Sequence, residues 1–156
     1  MVSFYHRKGS GQKGFTLLEM LIAVTLIAVG LLATASMQGV ALRSNSIANR
    51  LTVANLLAQK VMEDLHSRSS SDPIYLNAIP VVNVQYTLDS VASSPTLTVP
   101  GAGAYTATYS LTPNATINGA SVVGTTQIDV TVSYQSQVAA ATVTKAVSVT
   151  SYKMVI

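Results

Sequence analysis

The feature that most constrains this chain is an apolar run near its amino terminus. Residues 15–42 read FTLLEMLIAVTLIAVGLLATASMQGVAL, and their single charge is Glu19. From Met20 to Leu42 no charge occurs in 23 residues. As a helix, such a segment is about 35 Å long, against a bilayer core of about 30 Å. It contains no proline, so nothing in it forces a break. Helical periodicity then continues: Ile47, Leu51, Ala54, Ala58, Val61 and Leu65 follow one another at spacings of three and four, which is one apolar stripe on a helix. One helix from about Phe15 to Leu65 is therefore expected, roughly 75 Å long, and a domain of this size cannot bury it along its whole length. Ser-rich sequence and Pro73 should stop it within His66–Pro73. The stripe is either a coiled-coil seam or a face covered by the chain's own later residues, and the second reading is preferred because three heptads are too few to require the first.

The rest reads as strands. Val82, Val84, Tyr86 and Leu88; Tyr105, Ala107, Tyr109 and Leu111; and Ile128, Val130, Val132 and Tyr134 each alternate with polar residues, the period of a half-buried strand. A fourth strand is expected near Thr142–Thr150, carrying Val143, Val147 and Val149. Its apolar set then shifts to Tyr152, Met154 and Ile156, a parity change that predicts a bulge or bend near Ser151. A hairpin turn is expected at Gln135–Gln137, and loops at Pro95, Pro100–Gly103 and Pro113–Gly119. The fold class expected is α+β: a long amino-terminal transmembrane and amphipathic helix packed on a small antiparallel sheet, with one face of the sheet wet. The tyrosines on the apolar strand faces are expected in the core.

Charge placement bounds the function. The first 14 residues carry Arg7, Lys8 and Lys13 and no acid, whereas the other 142 carry six basic and six acidic residues. The whole positive excess sits before the apolar run, where it keeps that end cytoplasmic and sends the carboxyl-terminal part across the membrane. No basic bias toward nucleic acid is left elsewhere. Residues 67–156 hold 26 Ser or Thr in 90, so hydroxyls rather than charges keep that surface wet. The absence of cysteine excludes disulfides, thiolate metal sites and a cysteine nucleophile. The chain thus divides into residues 1–14, a basic leader; 15–42, the membrane half of the helix; 43–66, its amphipathic half; and 67–156, a β-rich domain on the far side of the membrane.

Glu19 is the anomaly. A carboxylate within an apolar span costs on the order of 2.5–3.5 kcal/mol at mid-membrane and less near its edge, and an acid there is a functional hypothesis by default. No Lys or Arg lies within the run. Cleavage after Gly14 would create an ammonium on Phe15 at similar depth; residues 15 and 19 of one helix share a face, so the pair could close within one chain or between neighbours. A snorkelling acid at the membrane edge is the plainer alternative. Gly30, Ala35 and Gly39 are small enough to let a second helix approach closely, or are simply tolerated.

Lys13-Gly14-Phe15-Thr16-Leu17-Leu18-Glu19 followed by some twenty apolar residues resembles the class III leader of type IV prepilins and type II secretion pseudopilins. The resemblance is close over residues 1 to about 42 and loose beyond. It implies cleavage between Gly14 and Phe15 by the prepilin peptidase, N-methylation of Phe15, and pairing of Glu19 with the amino terminus of an adjacent subunit. It also implies partners: the peptidase, other pilins or pseudopilins, an inner-membrane assembly platform, and lipid before assembly. The location implied is the inner membrane with the carboxyl-terminal domain in the periplasm, then a pilus or pseudopilus, and no enzymatic activity or cofactor is implied. GLLATASMQ and AQKVMEDL resemble minor components, either the pilus modification type of minor pilin or the minor pseudopilin I. Ser36 stands where the family usually has proline, and the usual carboxyl-terminal cysteine pair is absent.

Other signals carry less. Gly9-Ser-Gly11-Gln-Lys-Gly14 matches a dinucleotide fingerprint but lacks the strand and βαβ unit it needs. Ala33-Thr34-Ala35 matches a signal-peptidase site and would release a secreted β-rich binding domain beginning at Ser36, but the apolar stretch is longer than signal peptides use and contains Glu19. His66, with Asp64 and Ser67 beside it, is expected at a solvated helix end rather than in a catalytic triad. Asp89 and Asp129 have no acid–base signature.

Overall fold

The computed structural model describes residues 14–76, 79–138 and 141–155. The leader residues 1–13, with Arg7, Lys8, Lys13, Gly9 and Gly11, lie outside the described residues, as does Ile156. The chain divides into two compact units, one ending at Leu42 and one running from Arg43 onward. Among the described residues the elements are α1 (Leu17–Ser67), α2 (Pro73–Leu76), β1 (Val81–Tyr86), β2 (Thr96–Val99), β3 (Gly103–Thr112), β4 (Thr116–Ile117), β5 (Ala120–Ser121), β6 (Thr125–Val138) and β7 (Ala141–Met154). The class is α+β, with a long amino-terminal helix and an antiparallel sheet.

In the first unit every residue from Leu17 to Leu42 is exposed and helical. α1 passes Ser36 without a break. The Ser36 hydroxyl donates to the Leu32 carbonyl at 2.9 Å, Thr25 to Leu21 at 2.8 Å and Thr34 to Leu31 at 2.9 Å. Each hydroxyl in the run is thus satisfied by its own backbone, which removes the cost of carrying it into lipid.

In the second unit the sheet order is β1-β3-β6-β7, and β2 also pairs with β3. β1 pairs with β3 over Ala107–Leu111 and β2 over Gly103–Thr106, so the two short strands share one edge of β3 while β6 takes the other. Ala54, Ala58, Val61, Met62 and Leu65 form the buried stripe of α1. They pack in one cluster with Tyr105, Ala107 and Leu111 of β3 and Ile128, Val130, Val132 and Tyr134 of β6. The two alanines let the helix axis lie close to the sheet, and a buried leucine such as Leu65 contributes about 1.5–3 kcal/mol. The chain's own sheet therefore covers the stripe, although Leu51 stays 44% exposed at its beginning. Tyr105 and Tyr134 sit opposite one another on β3 and β6, with ring centroids 5.8 Å apart. Tyr86 and Tyr109 are half-buried against the same core.

Four details correct the sequence reading. First, the register of β6 on β7 is unbroken from Thr125↔Met154 to Val138↔Ala141, so no bulge lies near Ser151. The odd-numbered face of β7 stays inward through Ser151 and Lys153; both are polar because they bond the end of α1, and Tyr152 and Met154 face solvent. Second, Gln135–Gln137 is strand rather than turn, and the pairing of β6 with β7 runs past it to Val138↔Ala141. Third, the bulge is in β1. Val81 pairs with Leu111 and Val84 with Tyr109, which leaves an extra residue in between. Asn83 there has φ 52°, and its N–H reaches Ser110 Oγ at 3.0 Å. Val82 is consequently turned outward. Fourth, the short strands β2, β4 and β5 were not expected, although the turn at Pro100–Gly103 falls where a loop was. β2 and β3 form a hairpin across Pro100-Gly101, the Ala102 N–H bonding the Val99 carbonyl at 3.0 Å with Gly101 at φ 76°. That is the Pro-then-Gly pattern of a type II turn. β4 and β5 are joined by Asn118-Gly119, both at positive φ, as a type I′ hairpin requires.

Candidate functional site

Thr16 decides where α1 starts. Its Oγ1 accepts the Glu19 N–H at 3.2 Å, and its carbonyl accepts the Met20 N–H at 3.2 Å. Thr16 is therefore the N-cap, Leu17 the first helical residue and Glu19 the third. Thr-x-x-Glu is the spacing of a capping box, which the sequence reading missed. Glu19 in the first turn also complements the positive end of the helix dipole. Phe15 precedes the cap and lies outside the helix, which corrects the expectation that residues 15 and 19 share a helical face in this chain. Gly14, Phe15 and Glu19 are all exposed, Phe15 at 79%. An exposed, non-helical Gly14-Phe15 bond is accessible to a protease, and the apolar helix behind it is long enough to hold that bond at a membrane surface.

Gly30, Ala35 and Gly39 are exposed, and a Cβ at either glycine would meet nothing within 4 Å. Ala35 and Gly39 share a face; Gly30, nine residues before Gly39, lies about half a turn away from it. The three do not form one stripe.

Residues 9–35 match the family model for the prokaryotic N-terminal methylation motif. No curated protein and no solved structure matches the chain. The motif spans the Gly14-Phe15 junction, Glu19 and the first part of the apolar run. It supports a type IV pilin or pseudopilin class protein, implies processing by prepilin peptidase and assembly with other pilins, and points to a structural subunit. The apolar helix fits a single-pass membrane anchor.

A second polar cluster lies in the other unit, at the carboxyl end of α1. Lys153, inward on β7, donates to the carbonyls of Leu65 at 3.4 Å and His66 at 2.9 Å and to that of Arg68. Its ammonium also sits 4.5 Å from the centroid of the Tyr75 ring. The Tyr75 hydroxyl donates to the Leu65 carbonyl. His66 Nε2 and Ser151 Oγ are 2.9 Å apart. Asp64 does not complete a triad with them: it holds Arg68 at 3.1 Å. Burial pushes the Tyr75 phenol up to about 12. The cluster satisfies the carbonyls that the last helical turn leaves without partners. Lys153 and Tyr75 were not singled out in the sequence, and Ser151 only as the place of a bend. The available signal was polar residues at the inward parity of an otherwise apolar strand.

Proposed function

We propose that the chain is a minor type IV pilin-like structural subunit. It is made as a precursor with residues 1–14 as a cytoplasmic leader, residues 15–42 in the inner membrane and residues 67–156 in the periplasm. Prepilin peptidase cuts between Gly14 and Phe15, and Phe15 is N-methylated. The new ammonium meets Glu19 of a neighbouring subunit, which couples neutralisation of a buried acid to docking. The observation that carries this reading is the methylation-motif match over residues 9–35, laid on a helix exposed throughout Leu17–Leu42. The same observations suit a type II secretion minor pseudopilin, which uses the same chemistry. Release of a secreted domain at Ser36 gains no support, since Ala33, Thr34 and Ala35 are embedded in α1.

The Thr16-x-x-Glu19 spacing offers the Glu19 side chain a second role, in capping, and one pair of variants separates the two. Glutamine serves in a capping box as glutamate does, but it carries no charge. Glu19→Gln and Glu19→Ala should both be processed to the mature length, and both should lose filament incorporation about tenfold or more. Recovery of incorporation in Glu19→Gln alone would assign Glu19 to helix capping and overturn the pairing.

A further inference from the structure

The solvent face of the sheet is unusual in its chemistry. The register sets its side chains in rows across the strands, with about 4.8 Å between strands and about 6.8 Å between rows. Thr106 stands beside Ser133, and on the edge strand Thr96 pairs with Thr106. In the next row Gln85, Thr108, Thr131 and Ser148 are successive partners. Ser110, Asp129 and Thr150 follow, then Thr112, Gln127 and Tyr152. Asp129 is the one ionised side chain among the described residues of these rows. It is already engaged, accepting from Thr150 Oγ1 at 2.6 Å and Gln127 Nε2 at 2.9 Å. Thr131 and Ser148 are linked hydroxyl to hydroxyl at 2.8 Å. At one end the face deepens into a groove of about 420 Å³, where Ala104 and Tyr134 join Thr96, Thr106, Ser133, Gln135 and Thr144 in the lining. At the other end Tyr152 is 46% exposed. From Thr144 to Tyr152 the track runs about 27 Å.

We propose that this face docks a neutral polysaccharide. A serine or threonine hydroxyl both donates and accepts, as a sugar hydroxyl does, so a hydroxyl grid complements a polyol in either orientation. An anionic glycan would look for Arg or Lys, and these rows contain neither. A protein partner would look for an apolar or aromatic centre, whereas here the centre is Thr108, Thr131 and Ser148. Tyr152 adds a ring face on which the C–H surface of a sugar can lie, with a hydroxyl at its tip. The cross-links at Thr131–Ser148 and Asp129–Thr150 hold side chains in place before docking, which lowers the entropy lost on binding. The length of the track suits a polymer segment rather than a single sugar. This inference uses the second unit alone and does not depend on how the leader is processed.

The test is depletion of the full-length chain, kept in a detergent without a sugar headgroup, by insoluble cellulose, chitin and starch, with alginate beads as the anionic comparison. Depletion by at least one neutral polymer, unaffected by added salt and stronger than depletion by alginate, is expected. Thr108→Val/Thr131→Val/Ser148→Ala removes three hydroxyls while keeping residues suited to a strand, and should weaken binding about tenfold. Tyr152→Ala, at an exposed side chain, should do the same and carries the test if the triple variant loses its circular dichroism. Failure of all three neutral polymers to deplete the chain would overturn the proposal. So would wild-type binding by the folded variants, or salt-sensitive binding that favours alginate.

Discussion

Replacing Lys153 by methionine should destabilise the β-rich unit by about 3 kcal/mol. The Lys153 ammonium bonds the carbonyls of Leu65, His66 and Arg68, where α1 ends, and lies over the Tyr75 ring. A hydrogen bond to a charged group contributes roughly 1.5–3 kcal/mol net. A cation over an aromatic ring adds about 0.5–1 kcal/mol. Methionine keeps the apolar stem and its packing, and the Leu65 carbonyl keeps the Tyr75 hydroxyl, so the loss centres on the carbonyls of His66 and Arg68. A loss of 3 kcal/mol corresponds to a fall in melting temperature of about 10 °C or more for a unit of this size. The assay is urea and thermal unfolding followed by circular dichroism, with an unchanged urea slope as the sign that the unfolded state is unaltered. Lys145→Met on the same strand is the control. Lys145 is exposed, and its replacement should move stability by no more than about 0.5 kcal/mol. Equal shifts for the two variants would show that Lys153 is not holding the helix end.

Two further outcomes follow from the geometry. Tyr75 titrates near pH 10 when unfolded and at about 12 in the fold. The unfolded state therefore loses its proton first, so the stability held below pH 10 should fall between pH 10 and 12 by about 1.4 kcal/mol per pH unit. Unfolding measured across that window should show a shallower slope in Tyr75→Phe, and identical slopes would remove Tyr75 as the cause. Gly124 has φ +77°, and a Cβ there would lie 3.3 Å from the Val155 carbonyl oxygen. Gly124→Ala should cost about 1–2 kcal/mol in urea unfolding, and more than Gly101→Ala, whose φ is similar but whose Cβ would meet nothing.

Periodicity made much of this fold readable in advance. The four-and-three spacing from Ala54 to Leu65 marks the face that the sheet covers, and the period-two runs at Tyr105–Leu111 and Ile128–Tyr134 mark the strands that cover it. Patterning failed where tertiary bonding outweighs hydrophobicity. Ser151 and Lys153 face inward because helix carbonyls and His66 need partners, so a reading by apolarity alone turns the end of β7 over. It failed again at Val82, because Asn83 takes up positive φ and re-aims the strand. Asn118-Gly119 was a readable hairpin signal passed over inside a Pro- and Gly-bearing stretch. At the amino terminus the motif residues were legible as chemistry. The cap made by Thr16 was equally legible in Thr-x-x-Glu, but it was masked by the stronger claim of an acid among apolar residues.

The most direct measurement is the mass of the amino-terminal peptide of the protein recovered from native filaments or membranes. The account predicts a mature chain that begins at N-methylated Phe15, with the first 14 residues gone. A chain that begins at Ser36, or one that still carries its leader while assembling normally, would contradict it, because Glu19 would then have no new ammonium to meet.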